Sequence, residues 1–453
     1  MKTEQNEQAT NTHRSKSKFA FLIIVSVIVV AGVSAAILIT KRNKDNQQRR
    51  SLAVTQSDKA QNLANENKLV EAEAQYKQAI DTDPTYAIAH YGLGLALFSQ
   101  KKLPEAEAAL RQAIKQDPNY AVAHNALAVV LFTQKKDAEA ETSLREALRL
   151  DPNYAKAHMN MAVRFEELKK YPEAETEYRK AVELDSNYAN DATVHYSLGQ
   201  VLSEQKKLPQ AEDRYREAIR LNPNYASAYE ALGLSLLLTG RPAEAEHTLK
   251  QAIRLDDFIA KNPVTRSNLG LALWTQAKHA EAEAEYREAL KLDPKYAEAH
   301  NGLGNLYFGR GNFAEAEREF REALNSKPSL APTHVNLASV LNVVNRSVEA
   351  EAELREAIKA DPNSANDGDW HIELGNAFLN QQRYKEAEAE YKEAIKLAPR
   401  YGSNSFYHYR LATILAHQQR YAEAKEEYKE AMRLKTDSVK LPNDNLAQLL
   451  RSH

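Results

Sequence analysis

Residues 297–330 read AEAHNGLGNLYFGRGNFAEAEREFREALNSKPSL and contain two apolar patterns in sequence. Leu303, Gly304 and Tyr307 follow His300 at the three-to-four spacing of one helix face, and Ala316, Phe320 and Ala323 repeat that spacing before Pro328. The frame recurs every 34 residues: Ala106, Leu110, Ala113 and Pro118 form one second half, and Ala140, Leu144, Ala147 and Pro152 form the next. A first half returns as His90, Leu93, Gly94 and Leu97. No unit of this length buries its apolar face alone, so each needs neighbours, and the chain reads as an array whose function lies on a surface.

The two halves together resemble the tetratricopeptide repeat, whose pattern W-x2-L-G-x2-Y, then A-x3-F, then P is met at the right spacing. Eleven copies begin near Ala53, Ala87, Ala121, Ala155, Ala192, Ala226, Pro263, Ala297, Ala331, Gly368 and Ser405, so the resemblance spans residues 53–438. It implies an all-α fold, a right-handed superhelical solenoid of about eleven helix-turn-helix units. Each slot has a packing reason. Gly or Ala lets two helix axes approach where they cross, large apolar residues fill the seam, and Asp-Pro stops the second helix.

Departures from the pattern fall at particular places. The first copy keeps Ala72, Tyr76, Ala79 and Pro84 but has Gln56, Lys59 and Ala60 in its first half, which implies a first helix that is either loosely packed or continuous with what precedes it. Four junctions carry three extra residues each, at 189–191, 260–262, 365–367 and 402–404, and these polar insertions are expected to lengthen loops without breaking the stack. Residues 439–453, with the run Leu441 to Leu450, read as a short capped helix covering the last apolar face.

The amino terminus has a different composition. Residues 1–18 are polar and basic, 19–40 are uncharged and rich in Ile, Val, Leu and Ala, and 41–52 are polar again. At 1.5 Å per residue the middle run is long enough to cross a bilayer core of about 30 Å, so a single transmembrane helix followed by a stalk is expected. A cleaved signal peptide ending near Val33-Ser34-Ala35 is the competing reading, disfavoured because the apolar run continues through Ile37, Leu38 and Ile39. Lys2, Arg14, Lys16 and Lys18 before the run balance Lys41, Arg42, Lys44, Arg49 and Arg50 after it, so charge does not orient the span. The absence of cysteine tips the expectation toward an extracytoplasmic array on a single-pass membrane protein.

A formal net charge of −2 supplies no basic field for nucleic acid, which is excluded as a partner class. Glu107 precedes Arg111 by four residues, as do Glu141 and Arg145, Glu283 and Arg287, and Glu351 and Arg355, the pairing of solvated outer helix faces. His90, His124, His158, His195, His300, His334, His371 and His408 share one slot, which Gln56, Tyr229 and Arg266 fill in the other copies. Successive helix layers lie about 10 Å apart, too far for these rings to share one metal ion, so no metal or other cofactor is expected. In the family this slot packs an aromatic between helices, which implies a flat, partly buried imidazole here. A collective response to pH is the sharper alternative.

The resemblance also implies that the first helices line a concave groove that accepts extended peptides or helices. The positions it places there are Tyr91, Asn125, Asn160, Tyr196, Asn268, Asn301, Asn305, Asn336 and Asn376. Asparagine is a poor helix former, so its recurrence asks for a reason, and an amide can both donate to and accept from a peptide backbone. Packing against the neighbouring helix is the plainer one. No catalytic constellation is legible. Gly92-Leu93-Gly94 and Gly302-Leu303-Gly304 belong to the helix crossing, and Asn366-Asp367-Gly368-Asp369 lacks the alternating ligands of a calcium loop. The expected function is a non-enzymatic scaffold or adaptor with protein or peptide partners and no small-molecule substrate. The alternative is a chaperone-like or substrate-recruiting subunit of a membrane enzyme complex.

Overall fold

The computed structural model describes residues 2–434 and 445–452, with side chains except at 2–32, 34, 365, 399, 445 and 452. Among these, every regular element is a helix. Ten antiparallel hairpins run from Ala87–Ser99 with Leu103–Gln116 to Ser405–His417 with Tyr421–Leu434, and an eleventh precedes them, in which Leu69–Thr82 returns along the end of Lys2–Asn65. The helices separate into two compact units, residues 1–190 and 191–453.

Each hairpin turns through one residue with positive φ: Asn67, Lys101, Lys135, Lys169, Lys206, Gly240, Ala277, Gly311, Asn345, Gln382 or Gln419. Only two of these are glycine, so most of the turns hold an L side chain in the left-handed region, where it costs about 1–2 kcal/mol. Ala277, at φ 59°, has no polar side chain to offset that cost. Ala277→Gly is therefore expected to stabilise unit 191–453 by about 1 kcal/mol, less the entropy glycine loses on folding, seen as a raised thermal midpoint.

The crossings are built as the spacing requires. A Cβ placed on Gly304 would lie 2.5 Å from Cε1 of Phe320, and one on Gly94 would lie 2.6 Å from Cγ of Leu110. Phe320 and Leu110 are fully buried, as are Ala316, Ala323, Ala106 and Ala113 on the same faces. The helix Asn445–Ser452 lays Leu446 and Leu450 against Tyr409, Ala412, Leu415 and Ala431, while 441–444 lie outside the described residues.

Two expectations are corrected. Among the described residues no helix is long and apolar enough to cross a membrane, so the fold is a helical solenoid without the expected span, and the assignment as a single-pass membrane protein is not supported. The side chains of 19–32 lie outside the described residues. The apolar run is not a separate element. It belongs to the single helix Lys2–Asn65, which continues through Lys41, Arg42, Lys44, Arg49 and Arg50 and ends by burying Ala53 and Ala60 in the first hairpin. The insertions also differ from plain loops: Ser186–Ala189, Asp257–Ala260 and Pro399–Gly402 each form a single helical turn, and Pro362–Asn366 forms a 3-10 turn. Asp185, Asp256 and Asp361 nucleate three of them by accepting the backbone N–H two residues on, at 2.8, 2.7 and 2.9 Å.

Candidate interaction face

The histidine slot is a three-way clamp. Nε2 of His300 donates to the carbonyl of Pro294 at 3.0 Å, at the end of the preceding unit, and Nδ1 meets Oε2 of Glu319 on the second helix at 2.7 Å. His334 repeats this with Pro328 and Glu353 at 3.0 and 2.7 Å, and His408 with Gly402 and Glu427 at 2.9 and 2.7 Å. His158 bridges Pro152 and Glu177, and His371 meets Glu390 at 2.6 Å. Where arginine replaces histidine the geometry persists: Arg266 donates through Nε to the carbonyl of Ala260 at 2.8 Å and through Nη1 to Glu285 at 3.0 Å.

Both ring nitrogens of a clamped histidine face acceptors only, a carbonyl and a carboxylate, so the charged imidazolium satisfies the site best. The bond with Glu319 accordingly raises the pKa of His300, with burial opposing it. For His334 burial is the largest influence and pulls the pKa down, yet Glu353 and the Pro328 carbonyl together outweigh it and the net shift is upward. Burial likewise tends to raise the pKa of Glu319, but His300 and Arg318 hold it below the usual carboxylate range. Each histidine thus ties one hairpin together and to the turn before it, and no group of three metal-ligating side chains occurs among the described residues.

The nine positions read as groove candidates lie on the same first helices, and the structure treats them unequally. Asn125 is 3% exposed and accepts from Nδ2 of Asn160 at 2.8 Å. Asn301 accepts from both Nδ2 of Asn336 and Oγ1 of Thr333 at 3.0 Å. These amides are thus partly spent on one another across adjacent units. Tyr91 stacks against Tyr120 with ring centroids 5.3 Å apart, and Tyr196 lies 5.0 Å from Tyr225 and 6.0 Å from Tyr215. Asn376 accepts from the Tyr391 hydroxyl and donates to Oε2 of Glu373 at 3.4 Å. Asn268 and Asn305 are half-buried and make no side-chain hydrogen bond among the described residues.

Two features of this face escape the asparagine pattern. Glu373 lies beside a cavity of about 320 Å³ and accepts from Nδ2 of Asn342 at 2.9 Å, and burial pushes its pKa up against that hydrogen bond. The second is aliphatic. Leu234 and Leu271, each five residues beyond the histidine slot in consecutive units, are 42% and 40% exposed, and Leu238 and Val264 on the same two helices are 63% and 42% exposed. The spacings 234/238 and 264/271 put each pair on one helix face, and the two helices are neighbours. Val163 occupies the equivalent exposed position in unit 1–190.

Successive helical hairpins with alanine and glycine at their crossings define a repeat scaffold. The chain belongs to the tetratricopeptide repeat family: models described as tetratricopeptide repeat match residues 57–121, 102–155, 196–258 and 267–331, a second matches 153–223, and a third matches 368–401 and 405–438. Similar solved structures include YrrB, described as a TPR protein with an unusual peptide-binding site, at 24% identity over 41% of this chain and 92% of that one, TM-score 0.35. They also include Pseudomonas aeruginosa pilF, at 24% identity over 49% and 97% of the two chains, TM-score 0.40. Yeast Tom70 is 16% identical over 89% and 95%, TM-score 0.38. Comparison with curated proteins gives no match.

Proposed function

We propose that this protein is a scaffold that binds a protein partner, as an extended segment or a helix, on the first-helix face of unit 191–453. The observation that carries this reading is the pairing of Leu234 and Leu238 with Val264 and Leu271 on neighbouring helices, four aliphatic side chains left in water where the repeat pattern requires none for packing. Single exposed aliphatics are ordinary, but two exposed aliphatic pairs on the faces of neighbouring helices, with Leu234 and Leu271 in one recurring slot, favour a contact surface. The half-buried amide of Asn268 lies on the helix of Val264 and Leu271, that of Asn305 on the next first helix, Ala297–Gly309, and both supply donors and acceptors for a partner backbone. In the same unit Tyr196, Asn301, Asn336 and Asn376 have polar atoms or rings already engaged and support this face more than they contact the partner, while Tyr91, Asn125 and Asn160 belong to unit 1–190 and are engaged within it.

The test is a double substitution, Leu234→Glu with Leu271→Glu. Partner affinity should fall at least tenfold, about 1.4 kcal/mol or more, with little change in thermal midpoint because neither side chain belongs to the core. Undiminished affinity would remove this face as the site.

A further inference from the structure

The clamp is complete in some units and lacks its carboxylate in others, and one of the incomplete units is open. Nineteen residues after His158, His300, His334, His371 and His408 stands a glutamate; nineteen after His124 stands Ser143. The Ser143 hydroxyl turns back to the carbonyl of Glu139 at 3.0 Å, and among the described residues Nδ1 of His124 has no partner, while its Nε2 keeps the Pro118 carbonyl at 3.3 Å. A cleft of about 780 Å³ opens at that place, bounded by the helices Leu103–Gln116, Ala121–Thr133 and Asp137–Leu150. Its walls are mainly apolar, with Ile114, Pro118 and Leu127, and its rim carries Lys115 together with Arg111, Arg145 and Arg149, which are paired with Glu107 and Glu139, with Glu141 and with Glu146 respectively. Glu146 is paired with Arg149, with contacts of 2.7 and 2.8 Å, and makes no hydrogen bond to His124 among the described residues. After His90 the same slot holds Ala109, which is buried, so that unit offers no such opening.

We propose that this cleft is a docking site for an acidic side chain of a partner peptide, a glutamate flanked by apolar residues, whose carboxylate takes the position beside His124 that Glu319 holds beside His300. The sister units show what satisfies a histidine in this slot, Nδ1 of His124 and the Lys115 ammonium at the rim complement the incoming charge, and the apolar wall receives the flanking side chains. The site lies in unit 1–190, away from Leu234 and Leu271, so it stands or falls apart from the face proposed above.

The full chain is titrated with two capped peptides, acetyl-Leu-Glu-Leu-amide and acetyl-Leu-Gln-Leu-amide, followed by ligand-observed magnetic resonance. The glutamate peptide should bind at least fivefold more tightly than its glutamine counterpart. Ser143→Glu, which supplies the missing carboxylate from within, should weaken that binding at least tenfold without lowering the melting midpoint, and His124→Phe should remove the preference for glutamate. Equal binding of the two peptides, no binding of the glutamate peptide, or undiminished affinity in Ser143→Glu would overturn the proposal. So would a Ser143→Glu protein that melts below the parent, because the new carboxylate would then not be reaching His124.

Discussion

Gly304→Leu destabilises unit 191–453 by about 1–3 kcal/mol, as expected for overpacking a buried contact. The first atom of the new side chain would already lie 2.5 Å from the Phe320 ring, which is 1% exposed and has no free space to retreat into. Leucine is the better helix former by a fraction of a kcal/mol, which does not offset the clash. Alanine should be milder, since Ala128 and Ala338 fill the equivalent slot in other units and are fully buried there. A thermal or denaturant melt ordered parent, Ala, Leu from most to least stable checks this. A Leu variant as stable as the parent would mean that the two helices do not cross at this glycine.

The second large effect is on pH. A histidine whose pKa is higher folded than unfolded contributes stability that is fully present below its unfolded value of about 6.5 and is lost as pH rises through the folded value. His300 and His334 are such groups. Glu319 has the opposite sign: its folded pKa is lowered, so its contribution is present above the unfolded value of about 4.3 and fades as pH falls through the folded one. Together these pairs place greatest stability between roughly pH 4.5 and 6.5, with a declining midpoint toward pH 9. Breaking one such charge-assisted bond costs about 1.5–3 kcal/mol. Replacing His300 and His334 with Gln should lower the midpoint at pH 6 and flatten the fall between pH 6 and 9. An unchanged slope in that variant would show that these histidines do not carry charge in the folded array.

Much of this architecture is legible in the residues, for physical reasons that also mark where reading stops. The Ala316, Phe320, Ala323 spacing and the glycine opposite Phe320 encode a helix crossing locally, so hairpins and their number follow from one unit and its period. The carboxylate partner of five of these histidines was also present, nineteen residues on, but a contact between two helices is visible only once the hairpin's register is known. The asparagine pairs, 125 with 160 and 301 with 336, lie one period plus one residue apart, which sequence alone does not distinguish from two amides facing a ligand. Leu234 and Leu271 were hidden for the opposite reason, since an aliphatic residue on a helix reads as core until its exposure is measured. At the amino terminus, composition alone treated 19–40 as a unit, whereas the chain continues as one helix into the charged segment and the first hairpin.

On the proposed reading, the first-helix face of unit 191–453 meets the partner. A photo-reactive benzoylphenylalanine placed singly at Leu234, Leu271 or, on the second helices, Arg287 tests it in cells that make the full chain. Cross-linking to one and the same partner from 234 and 271, absent from 287, is the predicted result. A partner captured from 287 and from neither of the other two would contradict it.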